Sequence, residues 1–343
     1  MGNIELSNKR VLIIYTGGTI GMVSTDSGYA PQSGYLKGVL EGIGELRSRE
    51  MPAWDLVEFE QLLDSSNISI RHWNQMARVI EERYDAYDGF VILHGTDTMA
   101  YTASALSFML DGLSKPVILT GSQIPIGKLR SDAKDNLLTS MLMAAQGRCP
   151  EVALYFGGKL HRGNRSTKIS SDELIAFSSP NYPNLATADI DIVYHDHLIR
   201  PAGQELVVTQ LLEDLPIAVL KIFPGIQFSL FEGIMTEQLK GLVLEAFGVG
   251  NLPENDKGLI PAIEKAASKG TVITVCTQCL RGSVRLGAYE TSAALRRHGA
   301  VSAYDMTVEA AVCKLCYLFS LGYDSQDVRR LMEQDLRGEM TIN

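Results

Sequence analysis

The chain lacks most of the features that would mark it for a membrane, an export route or an oxidising compartment. No apolar run approaches the roughly 20 residues needed to cross a bilayer, so no transmembrane helix is expected. The opening Met1-Gly2-Asn3-Ile4-Glu5-Leu6 has no basic stretch, and the first apolar run, residues 11–15, is too short for the core of a signal peptide. The retained Met1 points the same way, and the expected location is the cytoplasm. Cysteine is scarce, five in 343 residues, and odd in number. A chain this long buries a core without covalent staples, so reduced thiols are expected. Positive charge is in deficit: 31 Lys and Arg face 40 Asp and Glu, a formal net charge of −9. That excludes nucleic acid and acidic membrane surfaces as expected partners. The six histidines show no metal-ligand spacing. Neither G-x-G-x-x-G nor G-x-x-x-x-G-K occurs, so Gly17-Gly18 is no phosphate fingerprint.

What is present is ordinary globular composition, 45% hydrophobic and 21% charged, in a length that holds about two domains. Strand and helix signals alternate. Residues 11–15, 90–93, 116–120 and 152–156 are short apolar runs that predict buried strands. Residues 72–84 and 100–110 have helical spacing, and Ser131 is placed to cap a helix running to about Ala145. Residues 23–34 are polar and glycine-bearing, which predicts a mobile loop. Around 189–216 the pattern becomes irregular, with Pro201, Gly203 and Pro216. Strands at 217–223, 242–246 and 271–275 and helices at 259–267 and 307–319 follow. The expectation is two α/β domains. The larger, 1–195, has a mostly parallel sheet flanked by helices and carries the catalytic residues. A linker covers 196–217. The smaller domain, 218–343, also has a parallel sheet.

Two of these strands end alike. Val11-Leu12-Ile13-Ile14-Tyr15 runs into Thr16-Gly17-Gly18-Thr19-Ile20-Gly21, and Phe90-Val91-Ile92-Leu93 runs into His94-Gly95-Thr96-Asp97-Thr98-Met99. In open α/β sheets, ligands bind at this carboxyl end of the strands. Two strand ends that each present threonine beside glycine suggest one site built from both. Glycine lets backbone approach a ligand closely. From the residues alone, Thr19 either caps a turn or serves as a nucleophile. Asp97 either caps the following helix or binds an ammonium group. Two C-x-x-C pairs, Cys276/Cys279 and Cys313/Cys316, suggest a zinc site. Against that, residues 308–318 read as a helix, in which cysteine packs as a small hydrophobe.

Together and in this order, Thr-Gly-Gly-Thr-Ile and His-Gly-Thr-Asp-Thr-Met resemble the bacterial-type L-asparaginases. Lys168 in Arg165-Ser166-Thr167-Lys168 and the later Gly248-Val249-Gly250-Asn251 belong to the same resemblance, which covers most of the chain. It implies hydrolysis of the side-chain amide of L-asparagine to L-aspartate and ammonia, with no cofactor and no metal. Thr19 would be the nucleophile and form an acyl ester. Lys168 would be the base, acting through Thr96; a lysine drawn into a polar site can be tuned for that role. Asp97 would bind the substrate's α-ammonium, and Tyr29 would close over Thr19 on a lid. Asp64-Ser65-Ser66 would hold the α-carboxylate. Exported members usually carry Gly-Ser-Gln there, so the Asp-Ser-Ser variant resembles the cytoplasmic type I branch. The resemblance also implies a homotetramer, a dimer of dimers, with Asn251 lent to a neighbouring subunit's site. Some type I members respond to asparagine at a second site, which by alignment falls on Glu245, Thr277, Gln278 and Cys279. A basic residue would be expected where Glu245 stands, with Arg281 as a substitute cation. Alternatives are the asparaginase-like subunit of an archaeal tRNA amidotransferase, a non-enzymatic Cys-x-x-Cys metal or redox protein, and an asparagine-binding sensor. The first carries an extra N-terminal domain, whereas here the fold starts at Val11. The intact Thr19, Thr96, Asp97 and Lys168 argue against the last.

Overall fold

The computed structural model describes residues 6–26, 28–231, 233, 238–253 and 258–342. The chain divides into two compact units between Val208 and Thr209. Eight strands form the main sheet of the first: β1 (Arg10–Gly17), β2 (Ala53–Leu63), β3 (Gly89–Leu93), β4 (Val117–Thr120), β5 (Val152–Phe156), β6 (Lys159–Arg162), β7 (Ala186–Ala188) and β8 (Ile192–Tyr194), in the order β8-β7-β6-β5-β4-β3-β1-β2. From β2 to β5 every pairing is parallel, and from β5 to β8 every pairing is antiparallel. The central strands β3, β4 and β5 are buried at every residue, which is why they read as unbroken apolar runs. Edge strand β2 is interrupted by Asp55, Glu58, Glu60 and Gln61.

Among the described residues, four α-helices belong to this unit: α1 (Tyr35–Gly42), α2 (Ile70–Arg83), α3 (Met99–Met109) and α4 (Ala133–Gln146). Ile13, Tyr15, Val91, Leu93 and Ile118 share a core with Leu137, Met141 and Ala144 of α4. By strand alternation the buried Leu12, Ile14, Phe90 and Ile92 face the other way. Helix α3 is buried nearly all round and packs on α2, β4 and β5. The strand order reverses at β1 and β3: from β1 the chain goes outward to β2, then returns to the far side for β3. This topological switch point is where a doubly wound sheet opens a crevice.

Three local expectations need correction. Most of residues 23–34, read as a loop, belongs to a hairpin, Met22–Thr25 paired with Gly28–Pro31. Ser131 is not the N-cap of α4. Asp132 holds that position, and its carboxylate accepts from the backbone N–H of Gln123 and Ile124, while Ser131 Oγ accepts from Ala133 N. Within 196–217, Val207–Val208 pairs with Leu110–Asp111 of the first unit.

The second unit holds a four-stranded, all-parallel sheet, β9 (Ile217–Lys221), β10 (Gly241–Ala246), β11 (Val272–Thr277) and β12 (Val301–Ser302), in that order. Helices α5 (Leu259–Ser268), α6 (Glu290–Arg297), α7 (Val308–Ser320) and α8 (Ser325–Met332) accompany it. Helix α7 carries a buried lysine. Lys314 Nζ lies 2.6 Å from Glu339, and both side chains are 0% exposed. Lys314 also donates to the Met332 and Gln334 carbonyls, and Glu339 accepts from the Leu336 and Arg337 backbone N–H groups.

Candidate active site

Three strand ends meet at the switch point, and glycine is what lets them. Gly17 and Gly18 have φ of +120° and +84°. A Cβ on Gly17 would lie 2.2 Å from the Leu63 carbonyl, and one on Gly18 would lie 2.3 Å from Gly95 N. No side chain fits either place, and the positive φ adds strain for any other residue. The chain then turns through Thr19–Gly21, a single 3₁₀ turn with no side-chain cap. The Thr19 hydroxyl makes no hydrogen bond among the described residues, so the turn-capping role is not used.

Beyond β3, the Thr96 and Asp97 side chains meet Lys168. Lys168 stands in the short strand Thr167–Lys168, paired with Phe177–Ser178. Its Nζ donates to Thr96 Oγ1 at 2.9 Å and to Asp97 Oδ1 at 2.5 Å. Since the ammonium only donates, the Thr96 proton goes elsewhere: to Gln123 Oε1, 3.3 Å away. Gln123 is in turn braced by Glu173 O through its side chain and by Asp132 through its backbone. The Lys168 side chain is 19% exposed, whereas that of Asp97 is 64% exposed and open to a ligand. Asp97 does not cap α3; Thr98 holds that position, and its hydroxyl donates to the Ser65 carbonyl at 2.7 Å.

The third strand end, after β2, is Asp64-Ser65-Ser66. Asp64 caps the 3₁₀ turn Ser65–Asn67, its Oδ1 accepting from both Ser66 N and Ser66 Oγ at 2.9 Å. Ser65 is buried beside Gly95. Thr19, Tyr29, Asp64, Ser65, Thr96, Asp97 and Lys168 line one cleft of ≈ 280 Å³. That is small by the standard of ligand sites, roughly 300–1,000 Å³, and suits an amino acid. Ser66 does not line it; it is exposed and serves Asp64. Tyr29, 53% exposed on the hairpin, lies under Lys128, whose ammonium sits 5.6 Å from the ring centroid. Gly18 and Gly95 also line it, as do Gln123, Ser171 and Met22, which were not singled out from the sequence. Gln123 lies after β4, a fourth strand end at the same edge of the sheet, which was its one available signal.

Behind the cleft, His94 is wholly buried. Burial pushes its imidazole down to about 4, against a hydrogen bond to the Gly95 carbonyl that favours the proton. The expected regulatory residues form a group of their own in the second unit. Glu245 and Thr277 stand at the carboxyl ends of β10 and β11. Gln278 braces those ends, donating to the Ile222 and Glu245 carbonyls at 2.6 and 2.8 Å. Thr277 Oγ1 accepts from Cys279 N, and Cys279 is exposed. Cys276, Cys313 and Cys316 are buried, and burial holds all three thiols well above their ordinary value. Among the described residues, no group of three His, Cys, Asp or Glu side chains is placed to hold a metal ion.

Residues 10–200 match the family described as asparaginase, N-terminal, and residues 216–332 match the glutaminase/asparaginase C-terminal domain. The chain belongs to the asparaginase family. It is 44% identical to L-asparaginase 1 of Escherichia coli (strain K12), over 98% of this chain and 99% of that protein. It is also 42% identical to the 60 kDa lysophospholipase of Mus musculus, over 97% of this chain but 63% of that protein. Among solved structures, L-asparaginase I from Vibrio cholerae O1 biovar eltor superposes with a TM-score of 0.90 at 43% identity, covering 98% of this chain and 100% of that one. In this asparaginase the matched N-terminal segment contains every residue that lines the cleft. No helix among its described residues is long and apolar enough to cross a membrane.

Proposed function

We propose that this asparaginase hydrolyses the side-chain amide of L-asparagine to L-aspartate and ammonia through an acyl ester on Thr19. The observation that carries the reading is the Lys168–Thr96 hydrogen bond of 2.9 Å in the same cleft as an unengaged Thr19 hydroxyl. Thr19 Oγ adds to the amide carbonyl and gives up its proton, and the amide nitrogen leaves as ammonia after gaining one. Water then attacks the ester; its proton passes through Thr96, which turns its hydroxyl from Gln123 to a Lys168 amine freed of its own extra proton, and Thr19 Oγ leaves by taking one up, so the free hydroxyl is restored. The exposed Asp97 carboxylate takes the α-ammonium. Ser65 and the turn braced by Asp64 and Ser66 take the α-carboxylate. Tyr29 closes over Thr19. The chemistry needs no metal and no cofactor. The cytoplasm is the proposed location, and 196–217 the connection between domains 1–195 and 218–343.

A pocket with Asp97 at one end and Thr19 at the other sets the distance from the α-carbon to the scissile carbonyl. One extra methylene misplaces that carbonyl, a difference of about 1–3 kcal/mol. L-asparagine is therefore expected to exceed L-glutamine in kcat/KM by roughly 10- to 200-fold. An ammonia-release assay across concentration series of L-asparagine, L-glutamine and D-asparagine tests the function and this ratio together. Equal kcat/KM for the two L-amides would show a looser pocket, and no release from L-asparagine would remove the proposed activity.

The proposed assembly is a homotetramer in which Asn251 is lent to a neighbouring subunit's site. In the single chain, Asn251 Oδ1 is buried with no hydrogen-bond partner among the described residues. An isologous two-fold interface would build two such sites at once. Sedimentation is expected to show a tetramer at assay concentration, and a fully active monomer would refute the sharing.

Cooperative control by asparagine is expected to be absent or weak. Gln278 is engaged by two backbone carbonyls, and Glu245 supplies a carboxylate where a second ligand's own carboxylate would need a cation. Coupling requires a ligand to bind two states differently, and a site without its anchor supplies little difference. The asparagine titration is expected to be hyperbolic. A Hill coefficient of about 3 that Thr277→Val abolished would contradict this.

A further inference from the structure

His94 sits between the sheet and the candidate site, and its ring bonds can be assigned donor by donor. Trp73 Nε1 lies 2.9 Å from Thr102 Oγ1, Thr102 Oγ1 lies 2.9 Å from His94 Nε2, and His94 Nδ1 lies 2.7 Å from the Gly95 carbonyl. An indole N–H only donates and a carbonyl only accepts. Nδ1 must therefore carry a proton, and it donates to Gly95 O. The ring is fully buried and uncharged, so Nε2 is left with a lone pair. Thr102, accepting from Trp73, spends its single proton on Nε2. Every donor in the chain then has one acceptor, and for an uncharged ring no other arrangement satisfies all three contacts.

The far end of this chain is the peptide that delivers Thr96. We infer that His94 is a positioning residue: the relay Trp73, Thr102, His94 fixes the Nδ1–H tautomer, ties the Gly95 carbonyl inward, and so sets the direction in which Thr96 leaves the strand end toward Lys168. A trans peptide is planar, so pinning its carbonyl pins the whole Gly95–Thr96 unit. The surroundings leave no slack on the other side. Gly95 is packed so tightly that a Cβ there would lie 2.6 Å from Ser65 Oγ, and Gly18 presses on its nitrogen. The orientation of this one peptide therefore governs how the Thr19, Ser65 and Thr96 segments fit together. Trp73 comes from the buried face of α2 and Thr102 from the buried helix α3, so these two helices set a catalytic angle from behind the sheet. Misplacement of a reacting group by about 1 Å costs roughly 10²-fold in rate, which is the scale on which such a device acts.

The inference rests on the reading of Thr96 as part of the amidase machinery, and the experiment separates the two. Histidine is ¹⁵N-labelled in the full-length protein, and the ring nitrogens are recorded by magic-angle-spinning NMR, with the His94 signals assigned by their loss in His94→Asn. A neutral ring protonated at Nδ1 is expected. A ring protonated at Nε2, or at both nitrogens, overturns the relay whether or not the protein releases ammonia. Ammonia release from L-asparagine is then measured on two variants. His94→Asn keeps an amide donor near the Nδ1 position, and its kcat is expected to stay within about tenfold of the parent. His94→Gln keeps only the end that faces Thr102, and its kcat is expected to fall by roughly 10²-fold with KM unchanged. Equal kcat for the two variants overturns the positioning role. If either variant fails to fold, Thr102→Val decides: loss of the Nδ1–H preference together with a fall in kcat at constant KM supports the relay, and an unchanged spectrum and kcat overturn it. A parent protein that shows the Nδ1–H ring but releases no ammonia removes the proposed function and leaves the relay standing.

Discussion

Thr19→Ala and Thr96→Ala are each expected to lower kcat for L-asparagine by roughly 10³-fold or more while the fold survives. Members of one catalytic unit are interdependent, so removing either leaves little that the other can do alone. Lys168→Met belongs with them. Its ammonium reaches both Thr96 Oγ1 and Asp97 Oδ1, so its loss unties the cluster as well as removing the proposed base. None of these side chains holds the core together: Thr19 and Lys168 are half-buried, and the Thr96 hydroxyl faces Lys168 and Gln123. Unfolding curves of the three variants should therefore overlay that of the parent. Steady-state ammonia release on the purified variants checks the first part. Turnover near the parent's in Thr19→Ala or Thr96→Ala would sink the two-threonine assignment, and a parent-like rate in Lys168→Met would make the lysine a bystander.

The second large effect lies far from the chemistry. Glu339→Gln is expected to destabilise the second unit by about 3–5 kcal/mol, because it leaves the Lys314 charge buried without its partner. Both side chains are wholly enclosed, so no solvent screens the loss. Replacing both residues with apolar ones of similar volume should recover most of it, since the desolvation cost disappears with the charges. Urea unfolding of the single and double variants measures the difference; a single variant as stable as the parent would show that the pair contributes nothing. The pair also carries a pH signature. Burial alone would raise the Glu339 carboxyl, but the Lys314 charge, its hydrogen bond and the Arg337 backbone N–H outweigh it and hold the group below its ordinary 4.5. A carboxyl with a lowered folded pKa contributes stability that is complete above its unfolded value and is lost as pH falls. Stability of the second unit should thus decline with acid below pH 4.5, and this decline should vanish in the double apolar variant.

The sequence alone determined the elements whose side chains all meet one environment. Central strands of a parallel sheet are buried on both faces, so 90–93, 116–120 and 152–156 read as unbroken apolar runs. Amphipathic helices show their 3.6-residue period, as in 72–84 and 259–267. The strand ends at Thr19 and at Thr96-Asp97 stood out because glycine and hydroxyl residues follow directly on a buried strand, where open α/β sheets bind ligands. The short antiparallel strands β6 to β8 were not legible. They are three or four residues long, too short for a period to show, and exist because each pairs with its neighbour. Tertiary structure alone decided which side chains meet. Lys168 is 72 residues from Thr96, and Gln123 is 27. Trp73 and Thr102 read as two more residues on the buried faces of helices until they are found bonded to each other and to His94. Lys314 reads as a polar interruption in an apolar helix, because its partner lies beyond the next helix. Hydrophobic patterning records burial one residue at a time, whereas a hydrogen bond or ion pair is a property of two positions that only the fold brings together.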